Sequence, residues 1–380
     1  MTIAKSALRA LALTACLTVS VAQAEDGVSA REILLGQNIT LKQGKSDYGV
    51  AVRQGVEVAL KEINAAGGVH GRAIAIKVLD DDGSAENAAA NAKELIEKDK
   101  VFALFGSVEG GPSTAVMKVA LEHDVPFFGP MAGSPGLREA DKPIVFPVRV
   151  GHREEFVALL DQARSLGITK VGFYRKSTAT GEQHLANVVR HVNKTGMELV
   201  ADLPFGSDES EGQVRATVDR IRASGAQMVF NHGSVSAYQR LIKMARLMGV
   251  KAYFYGVNSG SSQLADHLGD LSHGMVFAQV VPSPWERKTE ITRAYQAAFK
   301  QYMPDVSFSY GSLEGYLTTK AMAEALKLAG PKPTRASFVS KLNGSVIKFD
   351  GLTISYLNGE NPGLNFVDLA LFTRRGRFQH

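Results

Sequence analysis

The sequence alternates between short apolar runs and amphipathic helical patterns, and this alternation constrains the fold more than any other feature. The run "EILLGQNIT" at 32–40 reads as a buried strand. Glycines in "NAAGGVHG" at 64–71 end the helical pattern that follows it. Strand and helix patterns then alternate through "AIAIKVLD", "ENAAANAKELIEK", "VFALFG" and "STAVMKVALEH". Such alternation predicts right-handed crossovers and a parallel sheet covered by helices on both faces.

A second series of the same kind begins after residue 150. Its strand patterns are "KVGFY", "MELVADL", "QMVFN" and "KAYFYG", and amphipathic helical patterns separate them. Helices that begin near Thr289, Ser309 and Arg335, with short strands in "SVIKFDG" and "NFVDLALF", complete the chain. Two α/β units within 380 residues predict two lobes, because a single hydrophobic core seldom grows to this size.

The first 24 residues predict a secretory signal peptide. Lys5 and Arg9 precede the apolar run "ALALTACLTVSV", and "AQA" at 22–24 supplies the small residues that a cleavage site requires. The single cysteine of the sequence, Cys16, lies in this segment, so we expect a mature chain without disulfides. The "LTAC" at 13–16 also fits the pattern before a lipid-modified cysteine, which is the minor alternative because the apolar run before it is short.

The segment "FALFGSVEGGPSTAVMKVA" at 102–120 breaks a predicted strand with glycines before a helical pattern resumes. Gly111 can be the N-cap with Pro112 at the first helical position, which leaves backbone N–H groups directed outward. The segment lacks the ending of a Walker loop, and Val108 prevents a G-x-G-x-x-G match, so nucleotide binding is not predicted. The loop either contacts a small anion, carboxylate or amide oxygen, or merely joins strand to helix.

Comparable loops follow other predicted strands. They are rich in Gly, Ser, Thr and Asn, which form hydrogen bonds without carrying charge. In open parallel sheets, ligands bind beyond the carboxyl ends of the strands. Together these loops predict a polar cleft between two lobes. They occupy residues 129–136, 175–182, 231–237 and 256–263.

Motifs for catalysis, metal binding and nucleic-acid binding are weak or missing in the sequence. "SVIK" at 345–348 matches S-x-x-K without its partner motifs, and G-x-S-x-G does not occur. The "DDD" at 80–82 lacks calcium-loop spacing, so we expect a solvated strand end. His184 and His191 lie seven residues apart on a predicted helix, where we expect surface side chains and no metal ligands. The small, scattered net charge of +5 predicts no nucleic-acid partner.

Five longer segments carry a family resemblance: "GVEVALKEINAAGGVHGRAIAIKVLDDD", "FALFGSVEGGPSTA", "VPFFGPMAGSP", "VVPSPWERKTEITRAYQAAFKQY" and "SYGSLEGYLTTKAMAEALKLAG". They resemble the type I periplasmic solute-binding proteins of the leucine/isoleucine/valine-binding (branched-chain amino acid/amide) family, which serve ABC importers. The first segment is specific, and the similarity covers nearly the whole mature chain. The resemblance implies an α/β fold of two Rossmann-like lobes with parallel-type sheets, joined by a three-segment hinge.

The family fold implies three crossings between the lobes, near Pro147 to Gly151, Val280 to Ser283 and Ile347 to Leu352. Ligand would bind between the lobes and pull them shut about this hinge. The expected division of the chain is a signal peptide at 1–24, an N-terminal lobe at 25–148 plus 283–347, and a C-terminal lobe at 149–282 plus 348–380.

Family binding positions transfer to this sequence one at a time. Tyr48, in "SDYGVA", matches an aromatic residue that covers the ligand. Gly110 and Gly133 stand where amino-acid binders place a serine and a threonine, and Asn258 stands where the acidic partner of the ligand ammonium is expected. A buried ammonium without its carboxylate would be poorly paired. Either Glu109 substitutes for it, or the ligand is a carboxylate, amide or aromatic acid without an ammonium.

A ligand without an ammonium would be held by backbone N–H groups and by small hydroxyl side chains. The subgroup's usual pair of cysteines is absent, with Gly83 or Ser84 and Glu109 roughly in their places, which leaves the expected fold unchanged. The predicted ligand-binding residues are Tyr48, Ser107, Glu109, Gly110, Gly111, Met131, Ala132, Gly133, Ser134, Thr180 and Asn258.

The resemblance implies a periplasmic substrate-binding component of an ABC importer, which captures a small metabolite and passes it to an inner-membrane permease. No covalent step, cofactor or metal is expected, and the protein is expected to be a monomer. Two alternatives stay open: a ligand-sensing subunit that docks on a receptor kinase, and an exported α/β enzyme.

Overall fold

A computed structural model describes residues 25–41, 46–139, 142–357 and 363–380. The predicted signal peptide and Cys16 lie outside these ranges. Within them, the chain forms two α/β lobes, and none of the described helices is long and apolar enough to cross a membrane.

The sheet of the first lobe is parallel throughout, as the alternation predicts. Its strands are arranged in the order β2-β1-β3-β4-β5; α-helices connect successive strands from β1 to β4, and a short 3₁₀ helix, Pro135–Arg138, lies between β4 and β5. The polar N-caps Ser46 and Ser84 accept hydrogen bonds from the first turns of α1 and α2. The elements are β1 (Glu32–Ile39), α1 (Asp47–Ala65), β2 (Ala73–Asp80), α2 (Ala85–Glu97), β3 (Ala103–Phe105), α3 (Gly110–Glu122), β4 (Phe127–Phe128) and β5 (Val145–Phe146).

The sheet of the second lobe has five parallel strands, β10-β9-β8-β6-β7, and two antiparallel strands at its β10 edge. Its helices cover the two faces of the sheet and close separate apolar cores. The elements that precede the return to the first lobe are α4 (His152–Ser165), β6 (Lys170–Lys176), α5 (Ala179–Thr195), β7 (Glu198–Phe205), α6 (Glu211–Ser224), β8 (Met228–His232), α7 (Val235–Leu247), β9 (Tyr253–Gly256), α8 (Ser261–Leu268) and β10 (Val276–Gln279).

The last third of the chain adds helices to the first lobe before it rejoins the second sheet. Glycines let α1 and α10 approach closely, since a Cβ on Gly55 would lie 1.8 Å from the Ser312 carbonyl oxygen. Helices begin close to the predicted residues. The elements are α9 (Glu290–Tyr302), α10 (Tyr310–Ala329), α11 (Arg335–Leu342), β11 (Val346–Phe349), β12 (Leu352–Ser355), β13 (Gly363–Leu364), β14 (Asp368–Phe372) and β15 (Phe378–Gln379).

The third crossing lies later in the chain than predicted. Residues 347–352 lie within an antiparallel hairpin, β11–β12, whose turn is Asp350 and Gly351, and the hairpin packs on the first core through Ile354. The chain joins the second sheet only at β14, which pairs with β10. The peptide N–H of Leu364 donates to the carbonyl of Val148 at 2.7 Å, so the first and third crossings lie side by side.

Two local predictions in the first lobe were wrong. The start of α3 is Gly110 with Glu109 as N-cap, so Gly111 lies inside the first turn. Asp81 is fully buried, although we expected a solvated strand end. Its carboxylate accepts hydrogen bonds from Asn38 and Thr40, at 2.7 and 2.6 Å, which compensate for the lost hydration.

Candidate ligand-binding seam between the lobes

Polar loops at the carboxyl ends of the strands of both sheets meet along one seam. Gly110 and Ser134 belong to the first lobe and Thr180 to the second; a Cβ on Gly110 would lie 2.9 Å from Ser134 Oγ and 3.8 Å from Thr180 Cγ2. At the rim, Glu109 forms an ion pair with Lys176 across the seam, at 3.7 Å. The strand-end loops therefore come together as the cleft hypothesis requires.

Several predicted binding residues contact other groups of the first lobe, and one is exposed without a close neighbour. Ser107 is buried and accepts a hydrogen bond from the Ser113 hydroxyl at 3.0 Å. Met131 is buried, and its N–H donates to the Ser107 carbonyl. Ala132 lies in an apolar core. Gly111 is exposed, and a Cβ there would have no neighbour within 4 Å among the described residues.

Gly133 has a steric role that the sequence did not reveal. A Cβ at this position would lie 2.5 Å from Cγ of His152, and the Gly133 carbonyl accepts the His152 N–H at 2.9 Å. A threonine at position 133 would collide with this imidazole. Gly133, at the position where the family resemblance implies a threonine, therefore leaves room for the His152 ring of the second lobe.

A buried charge network spans the two lobes and centres on Arg149, in the first crossing. Its guanidinium bonds to the Glu155 carboxylate of α4 and lies 3.6 Å from the Glu314 carboxylate of α10. All three side chains are at most 1% exposed. Because two carboxylates share one cation, neutral hydrogen-bond donors must stabilise the remaining negative charge.

Tyr48 and Asn258 supply those donors from opposite lobes. The Tyr48 hydroxyl and the Asn258 side-chain amide both donate to Glu314 Oε2, at 2.6 and 2.7 Å. The backbone N–H of Asn258 donates to Glu155 Oε2 at 2.7 Å. Tyr48 also packs in the first core. The polar groups of both predicted ligand contacts therefore bind the network itself.

Burial and charge move the pKa values of the two carboxyls in opposite directions. Burial raises the pKa of Glu314, and Arg149 offsets this only in part. Burial also acts to raise the pKa of Glu155, but the closer contacts with Arg149 and His152 outweigh it and lower that pKa. Glu155 is therefore the firmly ionised partner of Arg149.

Three histidines of the second lobe are buried beside this network. His152 begins α4, His184 lies on α5, and His232 ends β8; they are 7%, 0% and 6% exposed. The surface position predicted for His184 is wrong. Its spacing from Val188 and Val192, which are buried on the same helix, was the available signal. His191 bonds to Asp161 at 3.0 Å, outside the cluster.

A groove of about 740 Å³ is lined by Ser262 and Gln263 of the predicted loop at 256–263, but by no residue of the other three strand-end loops. It is bordered by the start of α1, by α8, and by Trp285, Phe308 and Phe378. None of the predicted ligand-binding residues lines it. The seam of polar loops and the buried network is therefore the better candidate for ligand capture.

Comparison with known proteins agrees with this architecture. The sequence pattern of the periplasmic binding protein family matches residues 39–363. This chain belongs to the periplasmic binding protein family. Leu/Ile/Val-binding protein homolog 1 of Brucella abortus is 25% identical over 313 residues, which are 80% of each chain.

Solved structures share the fold of this binding protein. A substrate-binding periplasmic protein from Ralstonia solanacearum superposes with a TM-score of 0.83 at 24% identity, over 91% of this chain and 99% of that one. The branched-chain amino acid transporter substrate-binding protein LivJ from Streptococcus pneumoniae, in complex with isoleucine, gives a TM-score of 0.78 at 18% identity, over 92% of this chain and 98% of that one.

Replacing Arg149 by methionine should destabilise this binding protein strongly. The substitution leaves Glu155 and Glu314 buried without their shared cation, a change that costs about 3–5 kcal/mol. The control is Arg153→Met, four residues away, whose exposed guanidinium pairs with Glu154 and should contribute under about 1 kcal/mol. Urea unfolding followed by circular dichroism measures both. Equal losses for the two variants would contradict a central role for Arg149.

Glu314→Gln should change how stability depends on pH. Because folding raises the pKa of Glu314, the folded chain keeps the carboxyl proton up to a higher pH than the unfolded chain does. The free energy of unfolding therefore falls as the pH rises above the ordinary pKa of 4.5. Glu155 acts in the opposite sense, since its contribution is lost only as pH falls below that value. Relative to the wild type, Glu314→Gln should therefore gain stability as the pH rises above about 4.5.

The measurement is urea unfolding of both proteins at several pH values in that range. Glu324→Gln is the control, because its carboxylate lies on the same helix and pairs with Lys327 near the surface. A difference between Glu314→Gln and wild type that stays constant over this range would contradict the assignment.

Proposed function

We propose that this binding protein is the periplasmic substrate-binding component of an ABC importer, which captures a small metabolite between its lobes and delivers it to an inner-membrane permease. The observation that carries the proposal is the meeting of strand-end loops from both sheets at one seam, around Gly110, Ser134 and Thr180. Family membership and the predicted signal peptide support the periplasmic location and the transport role.

Ligand capture would follow from contacts that exist only when the lobes are closed. Such a ligand would contact the loop before α3 in the first lobe and the loops after β6 and β9 in the second. It would favour closure by the free energy of the contacts that closure adds. We propose a hinge made of the segments near 147–151, 280–283 and 365–367. The hydrogen bond between Leu364 and Val148 ties two of these segments together.

The polar groups of the seam favour a carboxylate, amide or aromatic acid over an α-amino acid. The N-cap Glu109 makes no side-chain hydrogen bond to the first turn of α3, so backbone N–H groups there can bind an oxygen of the ligand. The Ser134 hydroxyl is buried without a hydrogen-bond partner among the described residues. Glu314 Oε2 already accepts from Tyr48 and Asn258, and Glu314 Oε1, which has no hydrogen-bond partner among the described residues, lies 3.6 Å from the Arg149 guanidinium, so an ammonium group at this carboxylate would compete with Arg149.

L-Leucine should bind weakly or not at all. The hydroxyls expected at positions 110 and 133 are missing, and Asn258 replaces the acidic partner of an ammonium group. Isothermal titration calorimetry with L-leucine tests this, beside a thermal-shift panel of benzoate, acetamide and a branched keto acid. A ligand at 100 times its dissociation constant stabilises the folded state by about 2.7 kcal/mol. A micromolar leucine isotherm would show that the seam accepts an ammonium.

Gly110→Leu should block closure and weaken the binding of any panel compound that raises the unfolding midpoint. A leucine there would meet Ser134 of the same lobe and Thr180 across the seam, whereas Gly111→Leu, the matched control, would enter open space. Binding of that compound should fall by about 10-fold or more for Gly110→Leu, equivalent to about 1.4 kcal/mol, and stay near wild type for Gly111→Leu.

Small-angle scattering supplies the second measurement. The radius of gyration should decrease with the compound for wild type and Gly111→Leu, and stay constant for Gly110→Leu. Equal affinity of the two variants would place the ligand away from the seam.

A further inference from the structure

The three buried histidines of the second lobe form a compact cluster that ligand capture does not explain. One ring nitrogen from each of His152, His184 and His232 lies within 4.8 Å of the other two. The ring centroids of His184 and His232 are 4.2 Å apart, and His152 lies 5.3 and 5.5 Å from them. Helices α4 and α5 and strand β8 thus direct three imidazoles to one point.

Three of the six ring nitrogens of this cluster are buried without a hydrogen-bond partner among the described residues. Neither nitrogen of His184 has a partner among the described residues, and Nδ1 of His232 has none. A buried polar group without a partner costs about 1–3 kcal/mol. Protein interiors rarely keep several such groups together, and a metal ion would take one lone pair from each imidazole.

His152 has the arrangement that is typical of a metal-ligating histidine. Its Nδ1 bonds to Glu155 Oε1 at 2.7 Å, and Glu155 is itself fixed by Arg149 and by the Asn258 N–H. Such a carboxylate contact fixes the tautomer and the ring orientation, and leaves Nε2 for the ion. Gly133 packs against this imidazole and limits its rotation further.

We propose that His152, His184 and His232 bind one divalent late transition metal ion, with Zn²⁺ as the expected ion. Three imidazole nitrogens at about 2.0–2.1 Å from Zn²⁺ lie about 3.4 Å apart in tetrahedral geometry, so small side-chain rotations bring these three to bonding distance. Imidazole is a preferred ligand of zinc, copper and nickel and a poor one for Mg²⁺ or Ca²⁺.

The charges around the cluster indicate what completes the coordination. Three imidazoles leave one tetrahedral position for water or another ligand. The positive charges that act electrostatically on the imidazoles are Arg149 and Arg138 at His152, Arg138 at His184, and Lys176 and Arg175 at His232. Glu155 is the anionic neighbour of His152. The cations favour an anionic fourth ligand over a neutral one. Since His152 contacts Gly133 of the first lobe, the ion would lie beside the seam.

The test is calorimetric titration of the tag-free protein, freed of metal with a chelator, with ZnCl₂. The expected result is one ion per chain, with no comparable binding of MgCl₂. Substitution of Co²⁺ should give the visible absorption of a nitrogen-ligated tetrahedral ion. His184→Phe keeps an aromatic ring in the packed site and should weaken Zn²⁺ binding by more than about 100-fold, beyond the range seen for loss of an outer-shell contact.

His191→Phe is the matched control, because it lies on the same helix and outside the cluster. It should bind Zn²⁺ as the wild type does. His232→Phe serves as the second ligand variant if His184→Phe does not fold, which circular dichroism checks.

Absence of stoichiometric Zn²⁺ binding by the wild type would show that the histidines only pack against Phe156. Equal loss in the ligand and control variants would mean adventitious surface binding. Either outcome overturns the proposal.

Discussion

The pairing of buried charge at Arg149 is the constraint on which the arrangement of the two lobes depends. Glu155 and Glu314 come from different lobes, and neither can be ionised in the interior without a partner. Arg149 lies in the first crossing, so its guanidinium can reach both. Tyr48 and Asn258 then complete the shell from opposite sides. The network links the two lobes in the arrangement seen in this structure, in which the strand-end loops also lie face to face.

The sequence predicted the elements of this fold well and their contacts across the seam less well. Alternating strands and amphipathic helices predicted two sheets, and polar loops after the strands predicted which segments of the two lobes meet, because both signals are local. The third crossing was misplaced because Asp350 and Gly351 read equally well as a crossing or as a hairpin turn. Only the packing of Ile354 on the first core distinguishes the two.

The contacts of the network and of the histidine cluster were not predicted from the sequence. Arg149 in "VFPVRVG" and Glu314, the single charged residue among the first ten of α10, lie in otherwise uncharged stretches of sequence, which is a usable signal of a buried charge. Arg149 and Glu314 lie 165 positions apart in the sequence, and hydrophobic periodicity does not show which distant residues pair. His184 shares a helix face with buried valines, so its burial was predictable, whereas its meeting with His152 and His232 depends on how α4, α5 and β8 pack together.

The ion pair between Glu109 and Lys176 joins the two rims of the seam. Because the sequence contains no cysteine after Cys16, new thiols at 109 and 176 would be unique attachment points for a donor and an acceptor dye. Opening and closing could then be followed in single molecules as a change in energy transfer, with no background labelling to remove.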